Sequence, residues 1–388
     1  MHTFEMPRLC ASTLVFAAAL AGLSTAGTAA RAADVSLYGL VDYGFIYTHK
    51  DNGVQSDDTL QMESGKYTGS RVGIKGEEDL GNGVRAGFIL ENGFAADSGS
   101  MNVSDKLFDR EAVLYLTGDA GMIKFGRMTR LTSSTGSTSI FGGRISAFST
   151  GWGAEVPGYN GVFAGALTRF DNMVMYSTPE FAGTKLYAQY SFGTGVEEGE
   201  VEGTSSTDRY LSIGTTVKRG PFNLSAAVES FNWASWDRAA DKALDVDDGL
   251  VLAVGGAYDF EVVKLFAAGF KFDHMPATVA FLGDKTKLSG FANENLEGHA
   301  LNLGVTSPIA GGTLRFSAGW MAAEPSDEIA TNRGAELDRY AFALGYEKPL
   351  SKRTTVYAGA GYTVDRYDGA ASFSAKTTGV ICGMAHKF

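Results

Sequence analysis

The sequence predicts an all-β fold in which 16 antiparallel strands close into a transmembrane barrel with eight long loops at one end. Three observations lead to this prediction. Apolar and polar residues alternate with a period of two along most of the chain, which is typical of strands with two unlike faces. After residue 32 no apolar run reaches the roughly 18 residues of a spanning helix. The connectors between the alternating segments are short and long in turn, as in membrane barrels.

The first 32 residues differ in composition from the rest of the chain. The polar start MHTFEMPR is followed by the apolar run LCASTLVFAAALAG, and residues 30–32 match an A-x-A cleavage site. The apolar run is short for a spanning helix, which needs about 20 residues. We therefore expect residues 1–32 to be a signal peptide and residues 33–388 to form one barrel domain.

The predicted strands follow one another along the rest of the chain. In TLRFSAGW, for example, Leu314, Phe316 and Trp320 share one face, and the residues of the other face are small or polar. The alternating segments are 34–48, 68–77, 83–94, 108–117, 121–129, 169–177, 184–193, 208–218, 221–233, 248–259, 262–273, 298–306, 312–322, 337–347, 353–366 and 377–388. Their even number is the one expected of a closed antiparallel barrel.

The connectors differ in length between the two ends of the predicted barrel. Those at one end are tight and rich in Gly, Pro and Asp. Those at the other end are 49–67, 95–107, 130–168, 194–207, 234–247, 274–297, 323–336 and 367–376. Several glycines, including Gly255, Gly359 and Gly361, stand inside strands, where glycine normally weakens a sheet. We expect such glycines to face inward and to leave room for the lumen or for a loop folded into it.

A soluble β-sandwich would also alternate apolar and polar residues. A sheet of this many strands would then have to protect its edges, and its turns would have no reason to alternate in length. A closed barrel has no edges, and in lipid it satisfies every backbone group between strands. The formal charge of −11 and the absence of a basic tract argue against nucleic acid as a partner.

Four stretches carry a resemblance to the general porins of Gram-negative bacteria. They are ADVSLYGLVDYGF (33–45), SRVGIKGEEDLGNGVRAGFILENGF (70–94), DNMVMYSTPEFAG (171–183) and GMAHKF (383–388). The resemblance implies a homotrimeric outer-membrane channel for the passive diffusion of small hydrophilic solutes and ions, with the third loop folded into the lumen. It also implies contact with outer-membrane lipid and lipopolysaccharide, and it makes Phe388, His386 and Met384 part of a signal that the outer-membrane assembly machinery reads.

The alternation assigns several basic side chains to the inner face of the barrel. Arg71 and Lys75 alternate with the apolar Val72 and Ile74, and Arg85 alternates with Ala86 and Phe88. The resemblance adds Arg110 and Arg169 to a basic cluster that lines the channel constriction, with acidic residues opposite on the third loop. Here that loop carries a single acid, Glu155. We therefore expect a net positive constriction and a weak preference for anions, against which Glu91 and Asp171 count if they also face inward.

No catalytic motif, cofactor site or multi-cysteine metal site is recognisable, so an enzyme is not expected. Three alternatives remain: a substrate-specific channel, an outer-membrane barrel enzyme, and an adhesin with a plugged lumen. A sugar channel would use an aromatic slide, for which the third loop offers Phe141, Phe148, Trp152 and Tyr159. Two loops carry acidic runs, either as solvated tips or as sites where divalent cations bridge to lipopolysaccharide phosphates. These acids are Glu197, Glu198, Glu200 and Glu202, and Asp245, Asp247 and Asp248.

Overall fold

The computed structural model describes residues 34–133, 135–149, 151–163, 168–195, 201–204, 207–233, 247–276, 295–326, 334–369 and 372–388. The expected signal peptide, residues 1–32, lies outside the described residues. So do four acids of the two acidic runs, namely Glu197, Glu198, Glu200 and Asp245.

The described residues form β-strands joined by turns and loops. The strands are β1 (Asp34–Asp51), β2 (Ser56–Ser64), β3 (Arg71–Gly81), β4 (Val84–Ala95), β5 (Ser100–Met101), β6 (Glu111–Gly118), β7 (Gly121–Thr129), β8 (Arg169–Ser177), β9 (Thr184–Ser191), β10 (Arg209–Arg219), β11 (Phe222–Asn232), β12 (Gly249–Asp259), β13 (Lys264–Pro276), β14 (Asn295–Ile309), β15 (Gly312–Pro325), β16 (Glu336–Pro349), β17 (Thr354–Asp368) and β18 (Phe373–Lys387). The third loop contains two short 3-10 turns, Gly142–Arg144 and Tyr159–Val162. Within the described ranges, no helix has the length and apolar character needed to cross a membrane.

Sixteen barrel strands result, as the sequence predicts, because two of the assigned strands do not count separately. β2 and β3 pair with successive parts of β1, so they are the two halves of one barrel strand. β5 is a two-residue strand that pairs only with the end of β4. The part of the expected first loop that spans Ser56–Ser64 is therefore strand, which corrects the prediction of a loop at 49–67.

The sheet closes on itself between the first and last strands. β1 pairs with β18 in antiparallel register from Leu40–Lys387 to Asp51–Lys376. The terminal Phe388 extends this ladder, since its N–H donates to the Gly39 carbonyl at 3.0 Å. Every barrel strand thus has a neighbour on both sides, and the backbone groups of the wall are satisfied without water.

The two faces of the wall differ as the alternation requires. On β1, Phe45 is 57% exposed whereas the adjacent Ile46 is 2% exposed. On β18, Val380 is 47% exposed and Ile381 is 1% exposed. The apolar side chains that point outward are therefore the lipid-facing surface, and the buried ones pack inside the barrel.

The described residues of the third loop, which are 130–133, 135–149, 151–163 and 168, pack along the inside of the wall. Wall glycines provide the space: a Cβ on Gly255 of β12 would lie 2.8 Å from Ile145, and one on Gly345 of β16 would lie 2.5 Å from Trp152. The loop contacts other glycines of the same kind, including Gly214, Gly304, Gly359, Gly361 and Gly379. The expectation that Gly255, Gly359 and Gly361 make room for a folded-in loop is confirmed. The loop packs along the wall from β10 to β18, and Ile46 of β1 and Val113 of β6 are buried in the same apolar clusters as loop residues. It leaves uncovered the part of the wall that carries Tyr38, Lys75 and Glu91.

Candidate functional site

A cavity of about 720 Å³ lies between the third loop and the uncovered part of the wall. The wall side carries charged side chains from the first strands of the barrel. The loop side carries hydroxyl groups and bare backbone. The cavity lining includes Tyr38, Arg71, Lys75, Glu91, Arg110 and Glu111 on the wall side, Lys66 from the segment between β2 and β3, and Thr135, Gly136, Ser137, Ser139, Phe141, Gly142 and Gly143 on the loop. This is where the barrel is narrowed, so it is the candidate constriction.

Two guanidinium groups and one carboxylate form the centre of the wall side. Glu91 of β4 accepts a hydrogen bond from Arg110 Nε at 2.6 Å and one from the Tyr38 hydroxyl at 3.0 Å. Arg71 Nε lies 3.6 Å from the same carboxylate. Glu91 therefore faces inward, as its strand parity allows, and it compensates one of the two positive charges.

Lys75 stands beside this group on β3. Its side chain is exposed to the lumen, and its Nζ lies 5.4 Å from the centre of the Tyr38 ring. Across the described ranges no carboxylate forms an ion pair with Lys75. Its charge is therefore compensated only by solvent and by the weak attraction of the aromatic face.

Further charged pairs flank the cavity. Lys124 of β7 donates to Ser137 of the third loop at 2.8 Å and lies 3.7 Å from Glu111. Lys66 lies 2.7 Å from Glu63 and 3.3 Å from Glu155, the single acid of the third loop. Glu155 is therefore paired and does not present a free negative charge opposite the basic wall.

Of the basic residues expected at the constriction, Arg71, Lys75 and Arg110 line the cavity. Arg169 lies directly behind the lining: its Nε donates to the Arg110 carbonyl at 2.8 Å and its Nη2 to Thr135 Oγ1 at 3.2 Å. It braces the loop and the Arg110 backbone rather than facing the lumen.

Arg85 is not at the constriction, which corrects the sequence-based assignment. It pairs with Glu77 at 2.8 Å and is opposite Asp79, next to the tight turn between β3 and β4. Six strand positions, or about 20 Å, separate it from Glu91. Strand parity assigned the correct face to Arg85 but gave no information on its depth in the barrel.

The positive charge of the cavity exceeds the negative charge. Among the described lining residues there are four bases, Lys66, Arg71, Lys75 and Arg110, and two carboxylates, Glu91 and Glu111. Four charged neighbours of these residues, Glu63, Glu155, Lys124 and Arg169, add two acids and two bases. The buried Asp42, which accepts from the backbone of the lining residues Tyr67 and Thr68, lowers the excess by one and leaves it positive. Asp171, which also counted against a positive constriction, is held by Lys106 and Arg127, each at 2.5 Å.

Other arginines pin the third loop to the wall. Arg339 of β16 forms a two-point ion pair with Asp365 at 2.5 and 2.7 Å and donates to the Gly161 carbonyl at 3.3 Å. Arg315 of β15 pairs with Glu347 and donates to the Ala147 carbonyl. The loop is thus fixed at its far side by charged groups whose own partners are on the barrel.

A similar contact holds the start of the loop. Glu229 of β11 is fully buried and accepts hydrogen bonds from Tyr210 at 2.7 Å and from the backbone N–H of Thr132 at 3.0 Å. Arg130 lies 3.6 Å from the same carboxylate. Since both ends of the loop are tied to the wall, the cavity has a defined width.

The aromatic residues of the third loop do not form a slide for solutes. Phe148, Trp152 and Tyr159 are between 0% and 2% exposed, because they pack between the loop and the wall. Trp152, for instance, meets Phe148 edge-on with ring centres 5.1 Å apart. Only Phe141 belongs to the cavity lining.

Sequence reasoning missed Lys66, Glu111 and Lys124. The parity of β6 and β7 was sufficient to place Glu111 and Lys124 on the inner face. Lys66 gave no such signal, because it lies in a segment that interrupts a strand. At the chain terminus, Phe388 and Met384 are on the outer face and are 47% and 51% exposed, and His386 on the same face meets Thr354 at 3.0 Å.

The chain is similar to known proteins along nearly its whole length. A family model described as Gram-negative porin matches residues 14–369. The chain is 33% identical over 404 residues to an outer membrane porin protein of Bordetella pertussis, with 97% of this chain and 99% of that protein covered. It is 27% identical to outer membrane porin protein 32 of Delftia acidovorans, with 95% and 98% covered.

Solved structures share the fold. The chain is similar to an anion-selective porin from Comamonas acidovorans, with a TM-score of 0.65 and 23% identity over 92% of this chain and 100% of that one. It is also similar to the trimer form of OmpT, an outer membrane protein of Vibrio cholerae, with a TM-score of 0.57 and 18% identity over 92% of this chain and 100% of that one.

Proposed function

Because the chain belongs to the family of Gram-negative porins and is a passive diffusion channel of the outer membrane, we propose that its constriction favours small anions over cations. The observation that carries the proposal is the excess of basic over acidic side chains around the cavity, with Lys75 exposed on the lumen side. Basic side chains around a pore favour anions, and the low-dielectric protein wall concentrates their field in the lumen.

The third loop strengthens this preference by what it presents to the basic wall. Its lining consists of hydroxyl groups, glycine backbone and Phe141, and its one acid is paired with Lys66. A permeating anion therefore meets basic groups on one side and uncharged donors on the other. The acidic external loops act in the opposite direction at the mouth, which keeps the expected preference weak. It weakens further at high salt, because salt screens exposed charges.

The test is the zero-current potential of the purified protein in a planar bilayer with a KCl gradient, since potassium and chloride are equally mobile. We expect the sign of an anion-preferring channel. Neutral variants R71Q and R110Q should each shift the potential towards cations. The matched control is R85Q, which also removes an inward arginine but lies away from the cavity and is already paired with Glu77. A cation-selective wild type, or an equal shift in R85Q, contradicts the proposal.

We also propose that the chain assembles as a homotrimer. The related OmpT of Vibrio cholerae has a trimer form, and the outer surface here is apolar enough to be covered by lipid or by a neighbouring subunit. Cross-linking in mild detergent should give trimers. A product that stays monomeric at every cross-linker concentration contradicts the assembly without affecting the single-barrel channel.

Two further proposals concern the chain ends. Residues 1–32 are a signal peptide, so mass spectrometry of the protein from outer membranes should give a mature chain that begins at Ala33. Phe388, His386 and Met384 are part of the signal for the assembly machinery. Deletion of Phe388 should lower the amount of folded protein in the outer membrane. The same variant, refolded in detergent and inserted into a planar bilayer, should keep the conductance of the wild type.

A further inference from the structure

The second barrel strand, formed by β2 and β3, is interrupted by a short segment that turns into the lumen. Pairing with β1 stops at Tyr43–Ser64 and resumes at Leu40–Arg71. Only two residues of β1 lie between these pairs, whereas the second strand has six, residues 65–70. The four extra residues have no place in the ladder, so this segment, which we call the inner segment, enters the lumen and lines the cavity.

Asp42 holds the inner segment in this position. It is fully buried, and its Oδ2 accepts the backbone N–H groups of Tyr67 at 2.8 Å and Thr68 at 2.9 Å. Its Oδ1 accepts the hydroxyl of Tyr357 from β17 at 2.8 Å. The Asp42 carbonyl also accepts the N–H of Gly65 at 3.0 Å. At the other end of the segment, the Asp42 N–H donates to Ser70 Oγ at 3.0 Å. Both ends of the segment and its centre are therefore bonded to one residue of β1.

The inner segment in turn positions the basic side chains of the constriction. Arg71 Nη1 donates to the Gly69 carbonyl at 2.9 Å and to Thr68 Oγ1 at 3.2 Å. Arg110 lies against the same backbone, since a Cβ on Gly69 would be 2.9 Å from its Nη1. The segment thus satisfies donors of Arg71 that Glu91 does not reach, and it limits where Arg110 can lie.

The opposite side of the inner segment contacts the tip of the third loop. Lys66 pairs with Glu155 at 3.3 Å. The Tyr67 ring stacks on Tyr357 with centres 5.1 Å apart and meets Trp152 at 5.4 Å. The segment therefore bridges the basic wall and the loop, and the lumen is narrowed by two elements rather than one.

We propose that the inner segment is a second constriction element and that Asp42 is its positioning residue, which sets the width of the channel and the location of Arg71 and Arg110. The selectivity part of this inference rests on the proposed anion preference. The inference about channel width does not rest on it, so a measurement can contradict the anion preference and leave the inference about width intact.

An electrostatic role and a positioning role for Asp42 predict opposite changes of ion selectivity when this residue is replaced. If the carboxylate acts only through its negative charge, its removal makes the channel more attractive to anions. The change is about twofold, the order of magnitude expected for one unit charge that acts through water. If Asp42 acts by holding the inner segment, its loss releases Arg71 and Arg110 from the lumen. Anion preference then falls and conductance rises.

The experiment compares D42A, D42N and Y357F with wild type by single-channel conductance and zero-current potential. D42A removes the charge and the acceptors, D42N removes the charge and keeps one acceptor oxygen, and Y357F removes one donor to Asp42 without any change of charge. We expect larger and noisier conductance with lower anion preference in D42A. We expect smaller changes of the same direction in D42N and Y357F.

Refolding into the barrel is checked first by circular dichroism in detergent. Should D42A fail to refold, Y357F decides, because an electrostatic role predicts no change in it and a positioning role predicts a rise in conductance. The inference is overturned if D42A and D42N both shift towards anions at unchanged conductance, or if Y357F is identical to wild type. A cation-selective wild type with the expected rise in conductance would contradict only the proposed anion preference.

Discussion

Lys75 gives the sharpest test of how the constriction selects ions. Its side chain is exposed in the lumen and is not ion-paired with any described residue, so its removal leaves no buried charge without a partner. The substitution K75Q keeps a side chain of similar length and polarity. It should therefore change the field in the pore and leave the fold intact.

The structure sets the size of the effect. The cavity of about 720 Å³ has the volume of a sphere of roughly 5.5 Å radius, which serves as the order of magnitude of the distance between a permeating ion and a charge on the lining. A unit charge at that distance changes the energy of an ion by about 0.8 kcal/mol in water. Screening at about 0.1 M salt, where the Debye length is about 10 Å, leaves roughly 0.4 kcal/mol. An anion loses this attraction and a cation loses an equal repulsion, so the ratio of anion to cation permeability should fall about two- to fourfold.

The assay is the zero-current potential of wild type, K75Q, K75R and R85Q in the same KCl gradient, with single-channel conductance as a check on pore width. K75R should match wild type because it keeps the charge. R85Q should match it because Arg85 lies near the short-turn end and pairs with Glu77. An unchanged ratio in K75Q, or a shift towards anions, would refute the reasoning that the field of the wall sets the preference.

Three other predictions address salt, packing and the anchoring of the third loop. The anion preference of wild type should decline as salt rises towards about 1 M, where the Debye length is about 3 Å, and a preference that stays constant in zero-current measurements would point to steric selection instead. Replacement of Gly345 by Val should destabilise the folded barrel by about 1–3 kcal/mol, because the new side chain meets Trp152 of the third loop. Thermal unfolding in detergent measures this loss of stability. The control is G269A, because a Cβ on Gly269 would have no atom nearer than 4.0 Å. R339A leaves the buried Asp365 without its ion-pair partner and should cost about 3–5 kcal/mol, with frequent current fluctuations in bilayer recordings as the loop loosens; a quiet channel of wild-type thermal stability would contradict this role for Arg339.

The depth of a residue in the pore was the main quantity that strand parity did not provide. Arg71 and Arg85 both face inward, but only Arg71 is at the height of the third loop. Arg169 is at the right height, yet it is turned towards Thr135 and the Arg110 carbonyl. Alternation identifies the face of a side chain, because neighbouring residues of a strand point to opposite sides. It says nothing about which partner the side chain meets across the sheet.

The sequence by itself determined the number of strands, the lipid-facing and lumen-facing sets, the alternation of tight and long connectors, and the shortage of acids on the third loop. These follow from local chemistry, since a period of two and the turn residues are written along consecutive positions. Only the tertiary structure decided that Glu91 compensates part of the basic cluster, that Phe148 and Trp152 are buried, and that residues 65–70 fold inward. These depend on the register between β1 and the second strand and on the path of the third loop. Both are set by contacts between residues far apart in the chain, which no local pattern encodes.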